Sequence, residues 1–134
     1  DQVDADRLQR RGRWPFRGWN EFSWIRKEEI KMYKVSVMYP NRDGGRFDLE
    51  YYRTTHMDLV AKHLKPFGLV RTEVLRGISG GGQPAPYICI GSLYFETVDG
   101  YEKGIAASGG TLRGDIPNFT DLSPVRQISE VLTA

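Results

Sequence analysis

The chain predicts an α+β fold, a ferredoxin-like β-α-β-β-α-β sandwich, and three observations carry that prediction. Alternating apolar runs and helical stripes follow the order strand, helix, strand, strand, helix, strand. Two right-handed strand-helix-strand crossovers in that order give one sheet with both helices on the same face. The third strand, central in this topology, is apolar on both of its sides.

Each element has its own signal. Tyr33-Lys34-Val35-Ser36-Val37-Met38-Tyr39 alternates as a strand and is closed by the turn residues Pro40, Asn41, Asp43, Gly44 and Gly45. Asp48 is placed to N-cap a helix running to about Leu64, where Pro66 and Gly68 stop it. Leu69 to Ile78 reads as the second strand, with Val70, Thr72, Val74 and Ile78 on one face. Tyr87 to Phe95 is the third strand. A second helix covers Val98 to Ser108 with Val98, Tyr101 and Ile105 inward, and Pro124 to Leu132 is the last strand.

The glycines at 80–82 are followed by Pro84, Pro86 and a strand. A phosphate cradle needs a helix N-terminus there, so this stretch predicts a flexible hairpin loop, with a lid over a pocket as one use for it. With both helices on one face, nothing in the chain covers the opposite face of the sheet. An uncovered apolar sheet face predicts a homodimer formed through the sheet faces.

Composition narrows the function classes. A net charge of +2 is too small to point to nucleic acid or to an anionic membrane surface. No apolar stretch is long enough to span a bilayer. The single cysteine, Cys89, sits in an apolar run, so no internal disulfide can form and a reducing, cytoplasmic location fits. The first 31 residues differ from the rest: they hold Trp14, Trp19 and Trp24 and many arginines, without caps or alternation. They predict an extension outside the domain of residues 32–134. Lys27-Glu28-Glu29 can be encoded by a purine-rich ribosome-binding sequence just ahead of Met32, so residues 1–31 are also expected to be translated leader.

The first helix carries the candidate chemistry. Tyr52 and His56, at i and i+4, share a face with Leu49, Leu59 and His63. A histidine aimed into a core is either an inert packed residue or a proton-transfer group in a pocket, because imidazole titrates near neutral pH. In the second case Tyr52 orients the ring or donates to a developing oxyanion. Tyr51 is turned about 100° away from that stripe. His63, near the helix end, suits capping of the last carbonyls. The two histidines, seven residues apart, match no metal-ligand spacing, so no metal is expected. Cys89 has no activating base nearby and reads as a core residue. In the loop after the second helix, Asp115 and Asn118 either form a turn or reach the pocket mouth.

These features have a family likeness. Phe47, Tyr51, Tyr52 and His56 in their spacing, the Gly-rich loop, Ile90-Gly91-Ser92-Leu93-Tyr94-Phe95, and Asp115-Ile116-x-Asn118-Phe119-Thr120 together resemble the EthD family, over about Met32 to Val131. The resemblance implies a dimeric α+β barrel with a pocket between sheet and helices, an architecture shared with cofactor-free monooxygenases, polyketide cyclases, muconolactone isomerases and haem-binding enzymes. That pocket location would bring His56 to a guest; taken with the residue reading, His56 and Tyr52 are the expected catalytic pair and Tyr51, Asp115, Asn118 and Phe119 the expected substrate-binding residues. The expected function is proton transfer or cofactor-independent oxidation of a hydrophobic small molecule, in a degradative or secondary-metabolic pathway, with no cofactor. The competing expectation is a non-catalytic small-molecule-binding protein, or an accessory to an oxygenase system.

Overall fold

The computed structural model describes residues 31–134; the expected N-terminal extension, apart from Lys31, lies outside the described residues. In chain order the elements are β1 (Tyr33–Pro40), α1 (residues 49–64), β2 (Leu69–Arg76), β3 (Tyr87–Phe95), α2 (Val98–Gly114) and β4 (Val125–Glu130). The four strands form one sheet in the order β2-β3-β1-β4, antiparallel at every pairing. This is the ferredoxin-like fold, with β3 and β1 in the middle.

α1 and α2 pack against one sheet face. Val60 and Leu64 from α1 and Leu112 from α2 join Val35, Tyr39, Cys89, Leu93 and Phe95 in a single buried cluster. Strand register shows which side chains share that face. Arg126, Val37, Gly91 and Val74 form one row across the sheet, and Ile128, Val35, Leu93 and Thr72 the next. The opposite face has its own rows: Val125, Met38, Ile90 and Leu75 are apolar, and Gln127, Ser36, Ser92 and Glu73 are polar. Leu75 and Val125 remain 42% and 49% exposed.

α1 is not one uniform helix. Asp48 caps it as expected, its carboxylate accepting from the Tyr51 N–H at 3.0 Å. After one α-turn (Leu49–Tyr51) the chain widens into a π-helical segment, Tyr52–His56, before returning to α at Met57–Leu64. The Met57 N–H reaches back to the Tyr52 carbonyl, five residues away. The local cause lies at Thr54, whose hydroxyl donates to the Glu50 carbonyl at 2.7 Å. Back-bonding of this kind competes with the helical ladder and loosens it. The wider turn shifts the phase of the inward stripe. Tyr52 and His56 face inward as expected, and Val60 and Leu64 follow them into the core, while Leu59 packs half-buried against its edge and His63 is half-buried beside α2.

Two further boundaries differ from expectation. A register shift between Leu69 and Arg71 breaks the alternation of β2, so Val70 is exposed, and Ile78 lies beyond the strand at 81% exposure. α2 continues past Ser108 through Gly109 and Gly110 to Gly114. Packing overrides the low helix propensity of glycine here, with Gly109 and Leu112 buried against the rest of the fold.

Candidate functional site

Two chain segments far apart in sequence are stitched together to make the site. Phe47 and Thr120 form an isolated antiparallel bridge just ahead of α1 and just after the short turn Ile116–Asn118. The Asp48 N–H donates to the Phe119 carbonyl at 2.7 Å, and the Thr120 hydroxyl to the Arg46 carbonyl at 2.6 Å. The residue that caps α1 with its side chain therefore also ties the Asp115–Phe119 loop to it by its backbone.

That clamp delivers Asp115 to His56. Asp115 Oδ2 lies 2.8 Å from His56 Nδ1, with both side chains largely buried. The other carboxylate oxygen, Oδ1, accepts from the Tyr51 hydroxyl at 2.7 Å and from the Asn118 amide at 2.9 Å. Burial works against the Asp115 carboxylate, but hydrogen bonds from His56, Asn118 and Tyr51 outweigh it and hold the group below its ordinary pKa. An ionised carboxylate only accepts, so the hydrogen of the neutral imidazole belongs on Nδ1. Nε2 keeps its lone pair and makes no hydrogen bond among the described residues.

Aromatic rings fix the imidazole plane. Tyr52 stacks on His56 with centroids 5.4 Å apart and planes 17° from parallel, and Phe119 tilts against it at 4.6 Å. The Tyr52 hydroxyl points to the sheet, over Gly91, where any Cβ would collide with it. Glycine is thus required in the middle of β3 to admit the phenol. Burial pushes the Tyr39 hydroxyl up to about 12 and that of Tyr52 well above the ordinary tyrosine range.

A cavity of about 210 Å³ opens beside the imidazole, between the sheet and the two helices. Its wall includes Val37, Tyr52, His56, Val60, Leu93 and Ile105, with Arg113 and Arg126 also lining it. No residue of the 80–86 loop lines this cavity. Asn41 pins the loop to the end of β1, through hydrogen bonds to Ala85 and Pro86.

Residues 47–123 match the EthD domain. The chain belongs to the EthD family. Among solved structures it is similar to an EthD-like protein from Ralstonia eutropha JMP134, with 34% identity, a TM-score of 0.73, and coverage of 77% of this chain and 94% of that one. It is also similar to an EthD family protein from Bacillus halodurans C-125, at 18% identity, TM-score 0.49, and coverage of 72% and 98%. A dimeric ferredoxin-like protein from an uncultured marine organism aligns at 16% identity, TM-score 0.48, covering 79% of this chain and 91% of that one. No curated protein matches.

In this EthD domain the residues singled out from sequence converge, though not all at the cavity. His56 and Tyr52 line it. Tyr51, Asp115 and Asn118 lie behind the imidazole as a hydrogen-bonded set, outside the cavity lining. Phe119, fully buried, is a packing wall outside the cavity lining. His63 does not cap the helix; its Nδ1 faces the Ser108 hydroxyl of α2 at 3.4 Å. The sequence missed Arg113 and Arg126. Alternation in β4, which sets Arg126 on the same face as Ile128, was the available signal for the second.

Among the described residues, no helix is long and apolar enough to cross a membrane, and no group of three or more His, Cys, Asp or Glu side chains is placed to hold a metal ion.

Proposed function

We propose that this EthD domain takes a compact, hydrophobic small molecule into the cavity beside His56 and that His56 moves a proton at an activated carbon of that guest. The observation that supports this most is the Asp115–His56 pair: Nδ1 is held at 2.8 Å and the cavity-lining ring keeps Nε2 unengaged. The carboxylate fixes the tautomer and stabilises the imidazolium that forms when Nε2 accepts the proton. Stacking by Tyr52 and Phe119 holds the plane of the base while the guest binds. At 210 Å³ the cavity lies below the usual range for drug-sized ligands, so the guest is small. Isomerisation, cyclisation and cofactor-independent oxidation each begin with such a proton abstraction. A single buried thiol is in keeping with a cytoplasmic setting.

The experiment is turnover of a substrate found by screening, with the wild type and His56→Gln compared. Loss of the base is expected to lower the rate by about two to four orders of magnitude. Equal turnover by the two proteins would remove the role. Saturable binding without turnover, indifferent to the substitution, would instead indicate a carrier or accessory protein.

The proposal includes a homodimer through the outer sheet face, supported by the apolar row of Val125, Met38, Ile90 and Leu75. Burying such a row against its copy is the economical use of it. Light scattering at micromolar concentration is expected to give the mass of two chains, and Ile90→Glu to give one.

A further inference from the structure

The cavity wall carries charge of one sign. Arg126 and Arg113 line it, no aspartate or glutamate does, and most of the remaining wall is aliphatic or aromatic. Asp115, the carboxylate bound to His56, lies behind the imidazole with both oxygens engaged. It cannot neutralise the arginines from there without leaving His56.

Arg126 is set for a guest by its strand. It sits on β4, directly opposite Val37, on the face that looks toward the helices. Val37 is itself a wall residue, and its other neighbour is Gly91, over which the Tyr52 hydroxyl lies. The positive charge of Arg126 acts on Tyr39, Tyr52 and Tyr101, all three of them wall residues. Among the described residues neither Arg126 nor Arg113 forms an ion pair or a side-chain hydrogen bond. Arg113, in the last turn of α2, lies with its Nη1 over Gly109, another wall residue. Both arginines are exposed, so they stand at the mouth of the cavity where water can solvate them; their donors are unspent on protein and are available to an anionic group of a guest held against the apolar wall.

We infer that the guest is an amphipathic organic anion, whose apolar body fills the cavity while a carboxylate-type group is bound by the Arg126 guanidinium, with Arg113 flanking. This rests on the proposed function and adds its substrate class. It also orients the guest. One end is fixed at the β4 side of the mouth, and the apolar body lies alongside the imidazole. A guanidinium fork matches a carboxylate by two parallel hydrogen bonds, which a neutral amide of the same shape cannot reproduce.

The test is binding of a matched pair, 1-naphthoate and 1-naphthamide, to the full chain by isothermal titration calorimetry. The acid is expected to bind wild type at least about tenfold more tightly than the amide, the scale of one charge-assisted hydrogen bond. Arg126→Gln is expected to abolish most of that preference and Arg126→Lys to keep part of it, with amide binding the same in all three. Equal affinity for acid and amide in the wild type would overturn the inference, as would a preference that survives in Arg126→Gln. So would failure of the acid to bind at about 1 mM. The readout is independent of turnover. A missing charge preference would leave proton transfer by His56 standing, and unchanged turnover in His56→Gln would leave the anion site standing.

Discussion

The Asp115 carboxylate lies 2.8 Å from His56 Nδ1 although the two residues are 59 positions apart in the chain. In the proposed reaction Asp115 is a positioning residue for the imidazole. Asp115→Asn presents an amide that can donate to Nδ1 and so favours the wrong tautomer. Turnover is expected to fall by about 10²-fold or more. The double variant with His56→Gln should be little worse than His56→Gln alone, because the two residues work as one unit. Additive losses in that cycle would show that Asp115 acts elsewhere.

The same carboxylate makes stability depend on pH. Its folded pKa lies below the ordinary value of 3.8: burial opposes the charge, but hydrogen bonds from His56, Asn118 and Tyr51 prevail. A carboxyl whose folded value is depressed adds stability above its unfolded value, and loses it as the pH falls through the folded one. Thermal melts of wild type and Asp115→Asn should therefore differ near neutrality and converge below about pH 4. A gap that stays constant down to about pH 3 would contradict the assignment.

Gly91 sets the depth at which Tyr52 can lie against the sheet. Its Cβ position is occupied by the Tyr52 hydroxyl, so Gly91→Ala must push the phenol, and the imidazole stacked on it, away from β3. The expected loss is about 1–3 kcal/mol in urea denaturation, the usual range for overpacking. Tyr52→Phe in the same chain should recover part of it by removing the clashing oxygen. A double variant no more stable than Gly91→Ala would place the strain elsewhere.

Cys89 is fully buried, and burial pushes its thiol up to about 12. The thiolate that reacts with alkylating reagents is thus nearly absent in the folded protein. Iodoacetamide at about pH 8 should leave the native chain unmodified and label it once in denaturant, as read by mass spectrometry. Labelling of the native chain at a rate typical of free thiols would show that the core around β3 opens.

Much of the fold was legible because its determinants are local. A continuous apolar run gave β3 its bounds from Tyr87 to Phe95, the carboxylate of Asp48 marked the start of α1, and Pro66 with Gly68 marked its end. The inward turn of His56 was legible for the same reason, since one helical face carries it and Tyr52. What failed was phase and partnership. The hydroxyl of Thr54 widens a turn, and a fixed helical period centred the stripe on Leu59 and His63, which are half-buried, where Val60 and Leu64 are the buried residues. The pairing of Asp115 with His56 depends on the Phe47–Thr120 bridge, a contact between distant segments that no spacing rule encodes. Arg126 escaped notice because its importance comes from the strand beside it, where it faces Val37.

The widened turn at Tyr52–His56 has a bearing on how related chains are compared. A homologue shorter by one residue here could close an ordinary helix, at the expense of rotating one flank by about 100° relative to the other. Either the phenol or the imidazole would then leave its place. Chain length across these five positions is as much a determinant of the site as the identity of its histidine. An alignment gap slipped into this stretch would equate side chains that occupy different faces.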